Sequence, residues 1–172
     1  MKHKLKSASL IAALIMIFGA AAFFANESTV HGKTYKIGDK GPAGGWVFYD
    51  KGNSDGGWRY LEAAPVDQSN KFDTEWGCYK KSIPGAKGTG IGTGKSNTEA
   101  IVKSCGEAKI AAKLCTAYRG GGKSDWFLPS KDELNLMYKN LHVKGVGGFA
   151  GYNYWSSSEN DAYRAWLQNF YG

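Results

Sequence analysis

Ser130-Lys131-Asp132-Glu133-Leu134-Asn135-Leu136-Met137-Tyr138-Lys139-Asn140-Leu141 is the stretch on which the fold class turns. Ser130 and Glu133 stand at the spacing of a capping box, in which each side chain satisfies the other residue's backbone amide. Leu134, Met137, Tyr138 and Leu141 then recur at i, i+3, i+4 and i+7, a one-sided apolar stripe. The pattern predicts a helix that begins after Ser130 and buries one face.

Upstream, Ser96-Asn97-Thr98-Glu99 repeats the capping-box spacing ahead of Ala100, Ile101, Ile110, Ala111 and Leu114. This predicts another helix, broken near Gly106. On either side of the helices the pattern is β. Gly44-Gly45-Trp46-Val47-Phe48-Tyr49 and Trp58-Arg59-Tyr60-Leu61-Glu62 flank the turn Asn53-Ser54-Asp55-Gly56-Gly57, which argues a hairpin. Residues 65–95 read as loop, with Trp76 as an anchor in it, and Gly120-Gly121-Gly122 centres a second loop. The tail returns to strand at Tyr152 to Ser157 and at Ala165 to Phe170. Strands, two helices, then strands again make the class α+β.

The chain has 172 residues, 42% of them hydrophobic, enough for one core. Its 24 glycines and 14% aromatics suit short strands pinned by large side chains between many turns. No Gly-X-Y period makes it a collagen, and so many aromatics need somewhere to pack, which argues against disorder.

Residues 1–25 read as an export signal. Lys2, Lys4 and Lys6 lead an apolar run from Ala8 to Phe24, and cleavage is expected after Ala22 or Ala25. The rival, an uncleaved anchor, would have to span a bilayer with a run short for ~20 apolar residues. Loss of the three signal lysines brings the formal charge from +7 to +4. What remains is spread over Lys33, Lys36, Lys80, Lys81, Lys139 and Lys144 without a run, a poor match for nucleic acid. Residues 26–40 are polar and read as an exposed lead-in to a domain over 41–172.

An exported chain permits a disulfide. Cys105 and Cys115 lie ten apart in a stretch that reads as mostly helical, and a continuous helix would hold them ~15 Å apart. Cys78 with Cys105 is therefore the expected pair, and Cys115, inside the stripe Ile110, Ala111, Leu114, reads as a buried thiol. His3, His31 and His142 are scattered and no CxxC occurs, so a zinc site has no support.

Other motifs fall short. Gly88-Thr89-Gly90-Ile91-Gly92-Thr93-Gly94-Lys95-Ser96 invites a phosphate-loop reading, but position 89, where the first glycine belongs, is Thr89. A structural loop before a capped helix accounts for it. Ser156-Ser157-Ser158 has no nucleophile elbow around it. Glu159-Asn160-Asp161 offers oxygens that Ca²⁺ could use, though such turns are common without metal. The tail stands out instead. Tyr152, Asn153, Tyr154, Asn160, Asp161, Tyr163, Arg164, Gln168, Asn169 and Tyr171 crowd together, the residue types of adaptable binding surfaces. Trp155, Trp166 and Phe170 are expected to pack inward, and Tyr163, Arg164 and Tyr171 to face out.

Gly41-Pro42-Ala43-Gly44-Gly45, Trp76-Gly77-Cys78, Gly90-Ile91-Gly92-Thr93-Gly94, Ala111-Ala112-Lys113-Leu114-Cys115, the run from Ser124 to Leu134, and Tyr154-Trp155-Ser156-Ser157-Ser158-Glu159 occur in this order. Together they resemble a large bacterial family related to the C-terminal domain of a collagen-like adhesin. That family includes treponemal variable proteins whose tails are rewritten by diversity-generating retroelements. The resemblance implies a C-type-lectin-like fold of the formylglycine-generating-enzyme type, and a secreted, periplasmic or cell-surface protein that binds a glycan or protein ligand, not an enzyme. It implies a fixed framework at Trp155-Ser156-Ser157-Ser158-Glu159, Ala165-Trp166 and Asn169-Phe170. Ligand-facing positions would be Asn160, Asp161, Tyr163, Arg164, Leu167 and Tyr171, with Tyr152 and Asn153 beside them. No cofactor is implied.

The chain departs from the family in two ways. The paired cysteines of the family's sulfatase-modifying oxidases are missing, which disfavours that second reading. Family members continue past the match to Phe170 with a closing strand, whereas this sequence stops at Gly172. On that comparison the domain lacks its C-terminal strand, Trp46 and Phe48 are left partly uncovered, and a truncated, non-functional copy becomes a third reading.

Overall fold

A computed structural model describes residues 33–69 and 74–171. The signal segment 1–25 and residues 26–32 of the lead-in lie outside them. Among the described residues, β1 (Trp46–Asp50) pairs antiparallel with β2 (Tyr60–Ala63). Three helices follow: α1 (Gly94–Ser104), α2 (Ala111–Ala117) and α3 (Lys131–Asn140). A second antiparallel hairpin, β3 (Asn153–Asp161) with β4 (Arg164–Asn169), closes the order. The protein is α+β, with two separate two-stranded sheets among the described residues.

α3 begins as its sequence dictates. The Ser130 hydroxyl accepts from the Glu133 amide at 3.3 Å, and Glu133 Oε2 accepts from the Ser130 amide at 2.7 Å. Leu134 and Leu141 are buried. The other capping signal misleads. α1 starts at Gly94, two residues before Ser96, whose hydroxyl donates to the Thr93 carbonyl at 3.0 Å within the first turn. Asn97 and Thr98 are buried because tertiary bonds claim them: Asn97 Nδ2 donates to the Gly88 carbonyl at 2.6 Å.

The break at Gly106 separates α1 from α2, so the helices among the described residues number three rather than two. Cys105 ends α1 in extended conformation and is bonded to Cys78, with Cα atoms 5.2 Å apart. The expected pair is formed, although the continuous helix used to exclude Cys115 does not exist. Cys115 is unbridged and half-buried, and burial pushes its thiol up to about 12.

The extended run before α3 divides two apolar clusters. Successive side chains point oppositely along an extended chain. Leu128 accordingly joins Ile83, Ile101, Ile110 and Ala112, and Phe127 packs with Phe48, Leu61, Ala63 and Leu141. In β1 the register slips at Phe48, a bulge that lets adjacent Val47 and Phe48 both be buried.

The expectation that Phe48 is uncovered does not hold: it is 3% exposed. α3 covers it, and Asn140 Nδ2 donates to its carbonyl at 3.0 Å. The outer edge of β1 is also engaged by the lead-in, which is more than an exposed tail. The Gly38 amide donates to the Val47 carbonyl at 2.8 Å and the Val47 amide to the Asp39 carbonyl at 2.9 Å. Lys40 bridges Trp46 and sets its ammonium 3.7 Å from the ring centre. The following loop is held by Glu62, which accepts from the Gly45 amide at 2.9 Å and the Ala43 amide at 3.2 Å. Gly121, at φ 61°, comes so close to Ala43 that a side chain there would collide with its backbone.

Candidate binding surface on the C-terminal hairpin

The hairpin sits on a polar floor. Its register is regular from Asn153↔Asn169 to Trp155↔Leu167, then resumes only at Glu159↔Ala165, so Ser156, Ser157 and Ser158 bulge together. All three are fully buried. The Ser156 hydroxyl donates to the Trp166 carbonyl at 2.8 Å, and Trp76 Nε1 donates to the Ser156 carbonyl at 2.7 Å. That bond makes Trp76 the anchor its loop was expected to contain. The Ser157 amide donates to the Pro129 carbonyl at 2.7 Å, and its hydroxyl accepts from Asn97 Nδ2 at 3.2 Å. The Ser158 hydroxyl donates to the Gly88 carbonyl at 2.7 Å and accepts from the Lys131 amide at 3.0 Å.

Two buried glutamates complete the floor. Glu133 Oε1 accepts from the Gly92 amide at 2.7 Å. Glu159 accepts from the Ser82 hydroxyl at 2.8 Å and from the Ile83 amide. The glycine-rich loop is thus a structural loop whose polar groups are spent on α3 and β3. No buried side-chain nitrogen or oxygen among the described residues lacks a partner. An orphaned buried group would cost ~1–3 kcal/mol, so this network fixes the hairpin's register tightly.

The aromatic anchor is Phe170, 0% exposed. Its ring centre lies 4.5 Å from Tyr154, 4.9 Å from His142, and 5.2 Å from both Tyr138 and Phe149.

The predicted site residues do not gather in one place. Tyr152, Asn153 and Tyr171 lie at the open end of the hairpin, all exposed. Asn160, Asp161, Tyr163 and Arg164 lie at the turn end, farther along the strand by on the order of 20 Å. At the turn, the Tyr163 amide donates to Asp161 Oδ1 at 2.9 Å and Arg164 Nε to Asp161 Oδ2 at 2.8 Å. The guanidinium holds the Asp161 carboxyl below its ordinary value. Tyr163, 62% exposed, meets exposed Tyr79 edge to face at 5.7 Å.

Leu167 lies between the two ends and is exposed. Its neighbour Trp166 overturns an expectation: it is 39% exposed, outside the core. The serine bulge puts three β3 residues against one on β4, which shifts the outer strand relative to simple alternation. Lys131 Nζ stands 3.9 Å from the Trp166 ring centre. Trp166, Leu167 and Gln168 face Lys131, Asp132 and Asn135 of α3 across a cleft of about 220 Å³. Sequence reasoning missed these positions. Lys131 and Asn135, at i and i+4, were legible as one polar helix face, but nothing local tells which strand lies over that face.

The calcium reading of Glu159-Asn160-Asp161 is not supported by the geometry. Glu159 turns into the floor and Asp161 is spent on Arg164, so their oxygens do not converge. Cys78, Cys105 and Glu107 do converge, but the two sulfurs are bonded to each other. No helix among the described residues is long and apolar enough to cross a membrane.

Comparison with protein-family models, with curated proteins and with solved structures gives no match to this chain.

Proposed function

We propose that this chain is an exported or surface-exposed binding protein of the C-type-lectin-like kind, whose C-terminal hairpin holds a glycan or protein ligand. The observation that carries the reading is the contrast across the hairpin. Its inner side is locked by buried hydrogen bonds, and its outer side leaves Tyr152, Tyr163, Trp166, Leu167 and Tyr171 exposed. Aromatic side chains on a rigid support offer large contact area at low entropic cost, and clustered exposed apolar groups mark interaction sites. The sulfatase-modifying-type oxidase has less behind it. Cys78 and Cys105 are bridged, and a thiol at about 12 gives little thiolate at Cys115.

A glycan array probed with the purified chain tests the reading. Tyr163→Ala, Arg164→Ala and Trp166→Ala should reduce binding while the melting temperature stays close to that of the parent. Binding that survives all three unchanged would remove the hairpin as the site.

A further inference from the structure

We infer that the cleft between α3 and β4 is a subsite for one neutral sugar ring; this rests on the binding function proposed above and names its ligand. The chemistry of the cleft is unlike that of the hairpin's inner side, where buried polar atoms are satisfied. Here polar side chains lack hydrogen-bond partners among the described residues. Lys131 Nζ, the Asp132 carboxylate and the Asn135 amide make no hydrogen bond or ion pair with any described residue. All three belong to the first turns of α3; the Asp132 and Asn135 side chains are open to a ligand, and the Lys131 ammonium rests only on the Trp166 ring, 3.9 Å from its centre.

They converge on a ring platform. Trp166 forms the opposite wall with Leu167, and its indole N–H, like those of Trp46 and Trp58, donates to no described residue, whereas those of Trp76, Trp126 and Trp155 are bonded. A flat apolar wall with a few directional polar groups is the composition of a small-molecule site. A cleft of about 220 Å³ is below the usual ~300–1,000 Å³ of drug-sized pockets, which limits it to a single ring.

Charge selects among ring ligands. Lys131 and Asp132 are neighbours of opposite sign, so the cleft has no net charge to reward an anion, and Asp132 repels one. A polyhydroxylated neutral ring uses both kinds of group: its hydroxyls donate to Asp132 and accept from Lys131, and Asn135 can do either. Its C–H face takes the place of the Lys131 ammonium on the indole, an exchange that gives up only the modest cation–π attraction of an exposed ring and moves the ammonium onto the hydroxyls.

Methyl glycosides of glucose, galactose and mannose, titrated into the full chain and followed by ¹H–¹⁵N NMR, test this. The Trp166 indole signal is assigned by its loss in Trp166→Phe. At least one glycoside should move that signal, with a dissociation constant on the order of millimolar for so small a ligand. Asp132→Ala and Asn135→Ala should each weaken binding about tenfold, as loss of a hydrogen bond to a bound hydroxyl does. Methyl β-D-glucuronide should bind more weakly than its neutral counterpart. No movement of the Trp166 signal with any glycoside would overturn the inference. So would a tighter glucuronide complex that loses its advantage in Lys131→Met, because the cleft would then be an anion site. Sugar-induced shifts confined to Tyr163 and Arg164 would retain the hairpin as a binding surface and eliminate only the cleft.

Discussion

The β1–β2 and β3–β4 hairpins are assembled from similar parts. Each pairs an aspartate with an arginine, Asp50 with Arg59 and Asp161 with Arg164, and each interrupts its ladder with a bulge. The bulge in β1 buries Val47 and Phe48 side by side, Phe48 within an apolar cluster, and helix α3 and the lead-in cover what is left. The bulge in β3 drives three serines inward onto hydrogen-bonding partners, and β4 stays open to solvent. Apolar contacts are non-directional, whereas hydrogen bonds fix position and register. A strand that must hold side chains out to a ligand gains from the second kind of support, because its outer face need not pack to keep the strand in place.

The comparison is most exposed at Phe170, where the second hairpin borrows an apolar anchor. Phe170→Ala removes the ring that Tyr138, His142, Phe149 and Tyr154 surround, and should cost ~3–5 kcal/mol in denaturant unfolding. Amide exchange should accelerate in β3 and β4 well before β1 and β2. Equal acceleration in both hairpins would mean that they are one cooperative unit and the distinction is empty.

Replacing Cys78 and Cys105 together by serine comes next, at ~2–5 kcal/mol. The bridge holds the loop that carries Tyr79, whose ring meets Tyr163 at the turn of the second hairpin. Tyr163 resonances should therefore move on loss of the bridge, and those of Tyr49 and Trp58 in the first hairpin should not. Shifts in the first hairpin as large as those in the second would contradict the separation.

The asymmetry between the hairpins also governs what was legible in the sequence. The α+β order, α3 with its capping box, the break near Gly106 and both hairpins are written in local spacing, where neighbours along the chain decide the outcome. The Cys78–Cys105 pair, 27 residues apart, was instead reached through a continuous helix that the break removes. The start of α1 was misread because Asn97 and Thr98 answer to Gly88 in the preceding loop and to Leu128 and Ser157, which are distant in sequence. Trp166 was misplaced for the same reason. An alternating strand would have sent it inward, and only the nonlocal support of Ser156 to Ser158 produces the slip that turns it out. The two glutamates that brace the floor, Glu133 and Glu159, were legible as a helix cap and as a turn residue, not as partners of loops far along the chain.

Trp166→Ala sharpens the same point at smaller cost. A framework tryptophan in the core would lose ~3–5 kcal/mol on truncation. At 39% exposure, with Lys131 resting on its ring, the loss should be near 1 kcal/mol. Ligand binding, however, should fall sharply. A melting temperature lowered as far as in Phe170→Ala would return Trp166 to the core.

The smallest effect separates the carboxylates by sign. Asp50 and Asp161, at the two hairpin arginines, are held below their ordinary values chiefly by hydrogen bonds from those guanidiniums. A depressed folded value contributes stability above the unfolded pKa, and that contribution is lost as pH falls through the folded one. Asp67 is the reverse. Its carboxyl accepts from the Tyr154 hydroxyl at 3.0 Å, yet burial outweighs that bond and raises its pKa. A raised value contributes stability below the unfolded pKa, lost as pH rises through the folded one. Asp67→Asn keeps an acceptor for Tyr154 without the charge, so it mimics the protonated acid. The variant should melt slightly higher than the parent at neutral pH, and the gap should close as pH falls through the Asp67 titration. The difference is small because Asp67 is exposed overall and water screens its charge. Arg164→Ala should behave oppositely, melting closest to the parent in acid, where Asp161 is protonated in both proteins. Parallel melting curves for Asp67→Asn and the parent across the acid range would show that burial does not control this carboxyl, and that the base of β3 is as open to water as the hairpin turn.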